Sequence, residues 1–349
     1  RYQNMAGDEK KSGGMMETLT MVMYVIAWYA GNTYYNIYNK KALNLLHAHW
    51  TVAFAQLVVG ILWCIPLWLT GIRSAPKLNM GDIGKLAPIG LFAACAHGGS
   101  VLAMGAGAVS FAQVVKACEP VFAALVGLVI APVEVKSAIE YLMLLVIVGG
   151  VGLACVKEGK GIDINYFAFG WASFANLAAG LKGKLGKDVS HALKADKSKN
   201  MSAANSYAVM NILSAIWTLF VVLGTEASSF QDTWTHTLEE AEKACKKDAA
   251  SAGCFTANDI IFNVVMSGVA FYLYNEFAFA FTAMVGAVTS SVLNTLKRVI
   301  IIVATAAIFG EVMDKNAMIG SGIAITGVLL YSLAGQFAKK PESKDKKHQ

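Results

Sequence analysis

The chain has 349 residues, of which 56% are apolar and only 15% charged, with a net charge of +6. Soluble domains carry about a quarter charged residues, so a chain this poor in polar groups cannot clothe a water-exposed globule. The basic residues have no interleaved aromatics, which removes nucleic acid as a partner and leaves anionic lipid as the neighbour of the charged ends.

Ten apolar stretches approach the length of about 20 residues that a membrane span needs. They fall near 18–38, 50–71, 86–107, 109–131, 138–156, 166–185, 203–224, 259–281, 283–310 and 316–338. Residues 1–17 read as a polar, basic tail. The first span runs into "YYNIYNKKALN" rather than a small-residue cleavage site, so it reads as a span and not a signal peptide. In the third, His97 and Ser100 flank Gly98 and Gly99, which would let another helix approach closely. The fourth reads "VVKACEPVFAAL". Its Lys116 and Glu119 lie three apart on one helical face, and Pro120 predicts a kink by depriving the Lys116 carbonyl of its N–H partner. The sixth ends "AAGLKGKLGK", which places Lys182 about a turn inside a helix end, where it would either snorkel to the interface or serve the interior.

The long connection at about 226–258 contains a Glu-, Ala- and Lys-rich stretch from Trp234 to Lys247, read as a short helix on a solvated insertion. It also holds Cys245 and Cys254, nine apart and able to pair on an oxidising side, whereas Cys64, Cys95, Cys118 and Cys155 sit inside spans as small apolar fillers. The eighth span carries "FYLYNEF", with Tyr274, Asn275 and Glu276 in apolar surroundings. The ninth carries Ser291, Asn294 and Arg298 at helical spacing, with Lys297 beside them. The tail 339–349 is basic.

"AVSFAQVVKACEPVFAALVGLVIAPVEVKSA" from Ala108 aligns without a gap on "AVTSSVLNTLKRVIIIVATAAIFGEVMDKNA" from Ala287, at an offset of 179 residues. Spans four and five therefore correspond to nine and ten. The expected fold class is all-α and polytopic, with ten transmembrane helices in two inverted five-helix halves, 18–156 and 157–338. Such halves characteristically hold a transport site between them near mid-bilayer. With ten spans both termini share a side, which carries 17 Lys and Arg against 8 on the other, so the termini face the cytosol-like (in an organelle, matrix-like) side.

A charged side chain at mid-bilayer costs about 2.5–3.5 kcal/mol even on insertion scales, and is functional by default. Within the spans stand Lys116, Lys182, Lys297 and Arg298 against Glu119 and Glu276, a surplus of two positive charges that calls for a multivalent anion. Arg supplies a planar fork for phosphate and Lys a mobile point charge. Glu119 reads as a structural partner of Lys116 or Lys182, because a buried carboxylate would repel an anionic substrate. His97 is read either as a neutral core histidine bonded to a carbonyl or as a site residue, and Tyr274 either as packing or as a contact. No phosphate-cradling Gly loop, metal-ligand cluster or nucleophile–base pair appears, so neither a cofactor, a metal nor an enzyme such as a membrane phosphatase is expected.

At these residues the sequence resembles the plastid triose-phosphate/phosphate translocators of the drug/metabolite transporter superfamily. The resemblance rests on "YYNIYNKKALN", "AVSFAQVVKACEPVFAALVG", "YLYNEFAF" and "NTLKRVIIIVATAAIFGE", and covers most of 20–335. It implies an antiporter working as a monomer in a plastid inner membrane, exchanging inorganic phosphate for phosphorylated three-carbon compounds. Lys116, Lys297 and Arg298 would hold the phosphate, and His97, Ser100 and Tyr274 would contact the rest. The 226–258 connection is longer than the family's, and Lys182 would stand where relatives have an arginine, as the partner of Glu119. A nucleotide-sugar or hexose-phosphate carrier and a channel are the rival readings.

Overall fold

The computed structural model describes residues 2–130, 137–157, 161–162, 164–248, 251 and 253–337. Among them twelve α-helices follow in order: α1 (Tyr2–Leu45), α2 (His49–Leu69), α3 (Met80–Ala106), α4 (Val109–Lys116), α5 (Glu119–Ile130), α6 (Ala138–Ala154), α7 (Tyr166–Ala195), α8 (Ala203–Thr225), α9 (Phe230–Lys247), α10 (Ala257–Val285), α11 (Ala287–Phe309) and α12 (Lys315–Phe337). A two-residue antiparallel bridge, Val156–Lys157 with Gly161–Ile162, links α6 to α7. The basic tail 339–349 and the connection at 131–136 lie outside the described residues. Helix α1 begins at Tyr2, so it takes in the segment read as a tail.

Among the described residues seven segments are long and apolar enough to cross a membrane: α2, α3, α4 with α5, α8, α10, α11 and α12. Three expected spans fall outside that set for physical reasons. Helix α6 is apolar but only 17 residues long. Helices α1 and α7, 44 and 30 residues long, have the length but carry polar groups turned inward, such as Asn32, Asn36 and Asn39 on α1 and Asn176 on α7, all buried. Lining an interior lowers a helix's mean hydropathy.

The packing is doubled. Helix α1 lies along α10 as α7 lies along α3; α2 packs on α10 as α8 packs on α3; α4 and α5 pack on α7 as α11 packs on α1. The helices that would map onto each other also meet, α2 with α8, α4 with α11 and α6 with α12. The α6–α12 crossing is close because it is built from Gly150-x-x-x-Ala154 and Gly320-x-x-x-Ala324. A Cβ on Gly150 would stand 2.5 Å from the Ala324 nitrogen, and one on Gly320 2.4 Å from that of Ala154. In lipid, where apolar burial drives little, such small-residue contacts hold helices together through dispersion.

One end of the bundle is tied by charge. Glu226, just past α8, accepts from the backbone N–H of Trp50 at 2.9 Å and of Thr51 at 2.8 Å, and so caps α2. Glu311, just past α11, accepts from Val109 N–H at 2.9 Å and Ser110 N–H at 3.1 Å, and so caps α4. Each carboxylate meets the positive end of a helix from the other half. Lys40 donates to the Met104 and Gly107 carbonyls at 2.9 Å each, fastening α1 to the end of α3 on this face. Helix α9 sits here too. The expected surface helix forms with its charged side exposed, but it is docked rather than free, since Phe230, Trp234 and Leu238, spaced four apart, pack against the core. A disulfide between Cys245 and Cys254 ties its end to the start of α10.

Candidate functional site

The fourth span is broken, more sharply than a kink. Pro120 has no N–H to give, and the chain leaves the α-helix at Ala117–Cys118, where tighter bonds form from Ala117 N–H to Val114 O and from Cys118 N–H to Val115 O, each 3.0 Å. Lys116 is thus the last residue of α4 and Glu119 the first of α5. The Asn176 amide from α7 donates to Val115 O at 3.0 Å, supporting the break from outside. Irregular backbone at membrane depth is tolerated where protein surrounds it or a polar cavity adjoins it, and both hold here.

Beside the break lies a cavity of about 230 Å³. Among its lining residues are the six expected to contact substrate, His97, Ser100, Lys116, Tyr274, Lys297 and Arg298, and the expected charge partners Glu119 and Lys182. Lys116 donates to Ser100 Oγ at 2.9 Å, and Ser100 in turn donates to the Ala96 carbonyl at 2.6 Å. His97 Nε2 is 3.3 Å from the Ala53 carbonyl, and its ring lies 4.2 Å from that of Phe271, so the carbonyl-bonded histidine also faces the cavity. Gly98 lets α3 approach α2, for a Cβ there would fall 2.0 Å from the Trp50 ring. Lys182 lies well inside α7 at the cavity wall rather than at a helix end.

The two cations of α11 are held differently. Lys297, 8% exposed, has its ammonium 4.9 Å from the ring centre of Trp28 and 5.5 Å from that of Tyr274. The negative faces of those rings offset part of its desolvation. Arg298, 7% exposed, pairs with Glu119 at 2.8 Å. The expected partners of Glu119 were Lys116 or Lys182; Arg298 takes that place because α11 crosses at the break. Its carboxylate remains 41% exposed toward the cavity. Glu276 does not belong to the site. It is paired with Arg73 from the segment after α2, so the cavity holds four basic groups against one acidic group, a surplus of three rather than two. Ser291 turns away to bond Ser332 at 3.0 Å, while Asn294 lines the cavity.

Sequence reasoning passed over a set of amides. Gln113 donates to Asn36 Oδ1 at 2.9 Å, and Asn36 to Asn32 Oδ1 at 3.0 Å, forming a chain along the cavity wall. Asn211 of α8 and Asn176 of α7 line it as well. Their signal is present in the sequence as amides inside apolar spans, with Asn32 and Asn36 one helical turn apart.

The profile of the triose-phosphate transporter family matches residues 19–332. The chain is 31% identical to the chloroplastic xylulose 5-phosphate/phosphate translocator of Arabidopsis thaliana over 96% of this chain and 75% of the relative. It is 30% identical to glucose-6-phosphate/phosphate translocator 1 of the same plant, over 90% and 75%. Against phosphoenolpyruvate/phosphate translocator 3 of Oryza sativa subsp. japonica it is 28% identical, over 94% and 77%. A polytopic helical protein with buried cations around an internal cavity, matched along nearly its whole length, is a transporter and not an enzyme: the chain belongs to the triose-phosphate transporter family.

Proposed function

We propose that the protein exchanges inorganic phosphate for phosphorylated three-carbon compounds (triose phosphate, 3-phosphoglycerate, phosphoenolpyruvate) by alternating access. The observation that carries this is the surplus of three positive charges around one internal cavity. Closing both mouths on an empty site would strand those charges in low dielectric, at several kcal/mol per uncompensated ion. A phosphate dianion cancels most of the surplus, so the loaded carrier changes face and the empty one does not. One-for-one exchange then needs no separate energy source. Lys116, Lys297 and Arg298 grip the phosphate; His97, Ser100 and Tyr274 contact the remainder; Lys182 balances Glu119, which Arg298 releases as it turns to the phosphate.

The doubled packing supports ten spans in two inverted halves, with α1, α6 and α7 as the three spans less apolar or shorter than the rest. In our reading the carrier works as a monomer. The relatives' chloroplastic names support a plastid membrane, in our reading the inner one, with both termini on one side.

The test is labelled-phosphate uptake into proteoliposomes. Uptake is expected when vesicles contain phosphate or dihydroxyacetone phosphate, and none when they are empty. Rapid uptake into empty vesicles would mean a channel, and strong competition by nucleotide monophosphates would mean a nucleotide-sugar carrier.

In our reading the caps made by Glu226 and Glu311 help to close the face they share, and each must leave its helix end for that face to open. Substituting both by Gln, which weakens the attraction to the helix N-termini, is expected to raise labelling of a cysteine placed at Gln113 several-fold when an impermeant maleimide is applied from that face. Unchanged labelling would dissociate the caps from access.

A further inference from the structure

Helix α1 carries two adjacent aromatic residues that both reach the turn of α11 bearing Lys297. The Trp28 ring centre lies 4.9 Å from the Lys297 ammonium, inside the ~6 Å over which an aromatic face attracts a cation. Tyr29 Oη donates at 2.5 Å to the Leu293 carbonyl, one helical turn before Lys297. Trp28 is buried, and its ring is set by Phe281 of α10 at 6.0 Å and by Tyr29 at 5.7 Å. It stands outside the cavity lining, so whatever it does for a ligand it does through Lys297. The two neighbouring cations of α11 thus have partners of different chemistry. Arg298 is held by a carboxylate, which cancels its charge, whereas Lys297 is held by uncharged rings, which leave its charge to the cavity.

We propose that Trp28 is a positioning residue of the phosphate site, a neutral partner of Lys297 that phosphate must outcompete. This rests on the exchange reading above and adds to it what limits the grip on the anion. The ring face attracts the ammonium because the face is negative, and for the same reason it repels a dianion brought up to that ammonium. Ring and phosphate therefore draw on one charge at each other's expense. A desolvated ring weakens phosphate several-fold in this way, but does not rival a charge-assisted hydrogen bond. A carboxylate in the place of Trp28 would also hold the lysine, yet it would cancel the positive surplus that attracts the anion. A carrier that exchanges one phosphate for another must release each as readily as it takes it, and the ring keeps the site from holding too tightly.

The sign of the effect on binding separates this role from packing. Purified protein is titrated with inorganic phosphate and followed by thermal stabilisation. Trp28→Leu is expected to bind phosphate at least threefold more tightly than the wild type, while its maximal phosphate–phosphate exchange rate in proteoliposomes falls by a similar factor. Trp28→Phe, which restores a weaker aromatic face, should lie between the two in both measurements. Should Trp28→Leu not fold, Trp28→Phe alone tests the sign, since it too should bind more tightly than the wild type. Binding that is unchanged or weaker in the variants is what a packing role would give, and it would overturn the proposal. Identical behaviour of folded Trp28→Phe and Trp28→Leu would do the same. Failure of the wild type to bind or exchange phosphate at all would instead remove the exchange reading.

Discussion

Lys297→Ala is expected to lower phosphate counter-exchange at least a hundredfold, equivalent to about 2.7 kcal/mol, while the protein remains folded and monodisperse in detergent. The reason is its setting. Lys297 has no acidic partner among the described residues; its ammonium rests on the Trp28 and Tyr274 rings and lines the cavity. Removing an unpaired buried cation leaves no orphaned anion behind, so stability should be kept or improved while the phosphate loses a charge-assisted hydrogen bond. Lys297→Arg keeps the charge but presents a planar fork between two aromatic walls, and should recover only part of the rate. Uptake by Lys297→Ala within threefold of the wild type would show that the aromatic-bound cation is structural.

The ion pair between Glu119 and Arg298 should behave in the opposite way. Arg298→Gln leaves Glu119 facing the cavity, and Glu119→Gln leaves Arg298 buried without its carboxylate. Because Glu119 is 41% exposed, the single losses should cost roughly 1–2 kcal/mol rather than the full penalty of a dry pair. Melting of the purified protein should fall by a few degrees in each single variant and largely recover in the double variant. Phosphate exchange should be lost wherever Arg298 is absent, whatever the melting temperature. A double variant as unstable as the sum of the single ones would mean that the two side chains do not interact.

Much of this site is readable in the sequence because lipid makes polar residues conspicuous. Lys116, Lys297 and Arg298 stand out in apolar runs, and Pro120 marks the break. Which charges meet is a different matter, since it depends on where helices cross. Glu276 looks buried in "FYLYNEF", yet it meets Arg73, 203 residues away in sequence, because α2 ends beside α10. The same holds for Glu226 and Glu311, which look like ordinary loop acids until α2 and α4 are seen to begin beneath them. Helix α9 reads as solvated because its charged residues outnumber Phe230, Trp234 and Leu238, and only their common face shows that it docks. Asn176 and Asn211 are visible as amides in spans, but the backbone carbonyls they bond are set by packing alone.

Glu119 and Arg298 are 179 residues apart, the offset that superposes the two halves of the sequence. In the proposed division into two halves they occupy equivalent positions, and they meet where α11 passes the break between α4 and α5. In an ancestor assembled from two identical half-length chains that position would have carried the same residue on both sides, and two glutamates or two arginines there would repel. A half-length chain made from either repeat today should therefore not self-assemble through this crossing, whereas the two different halves expressed together retain the complementarity that joins them.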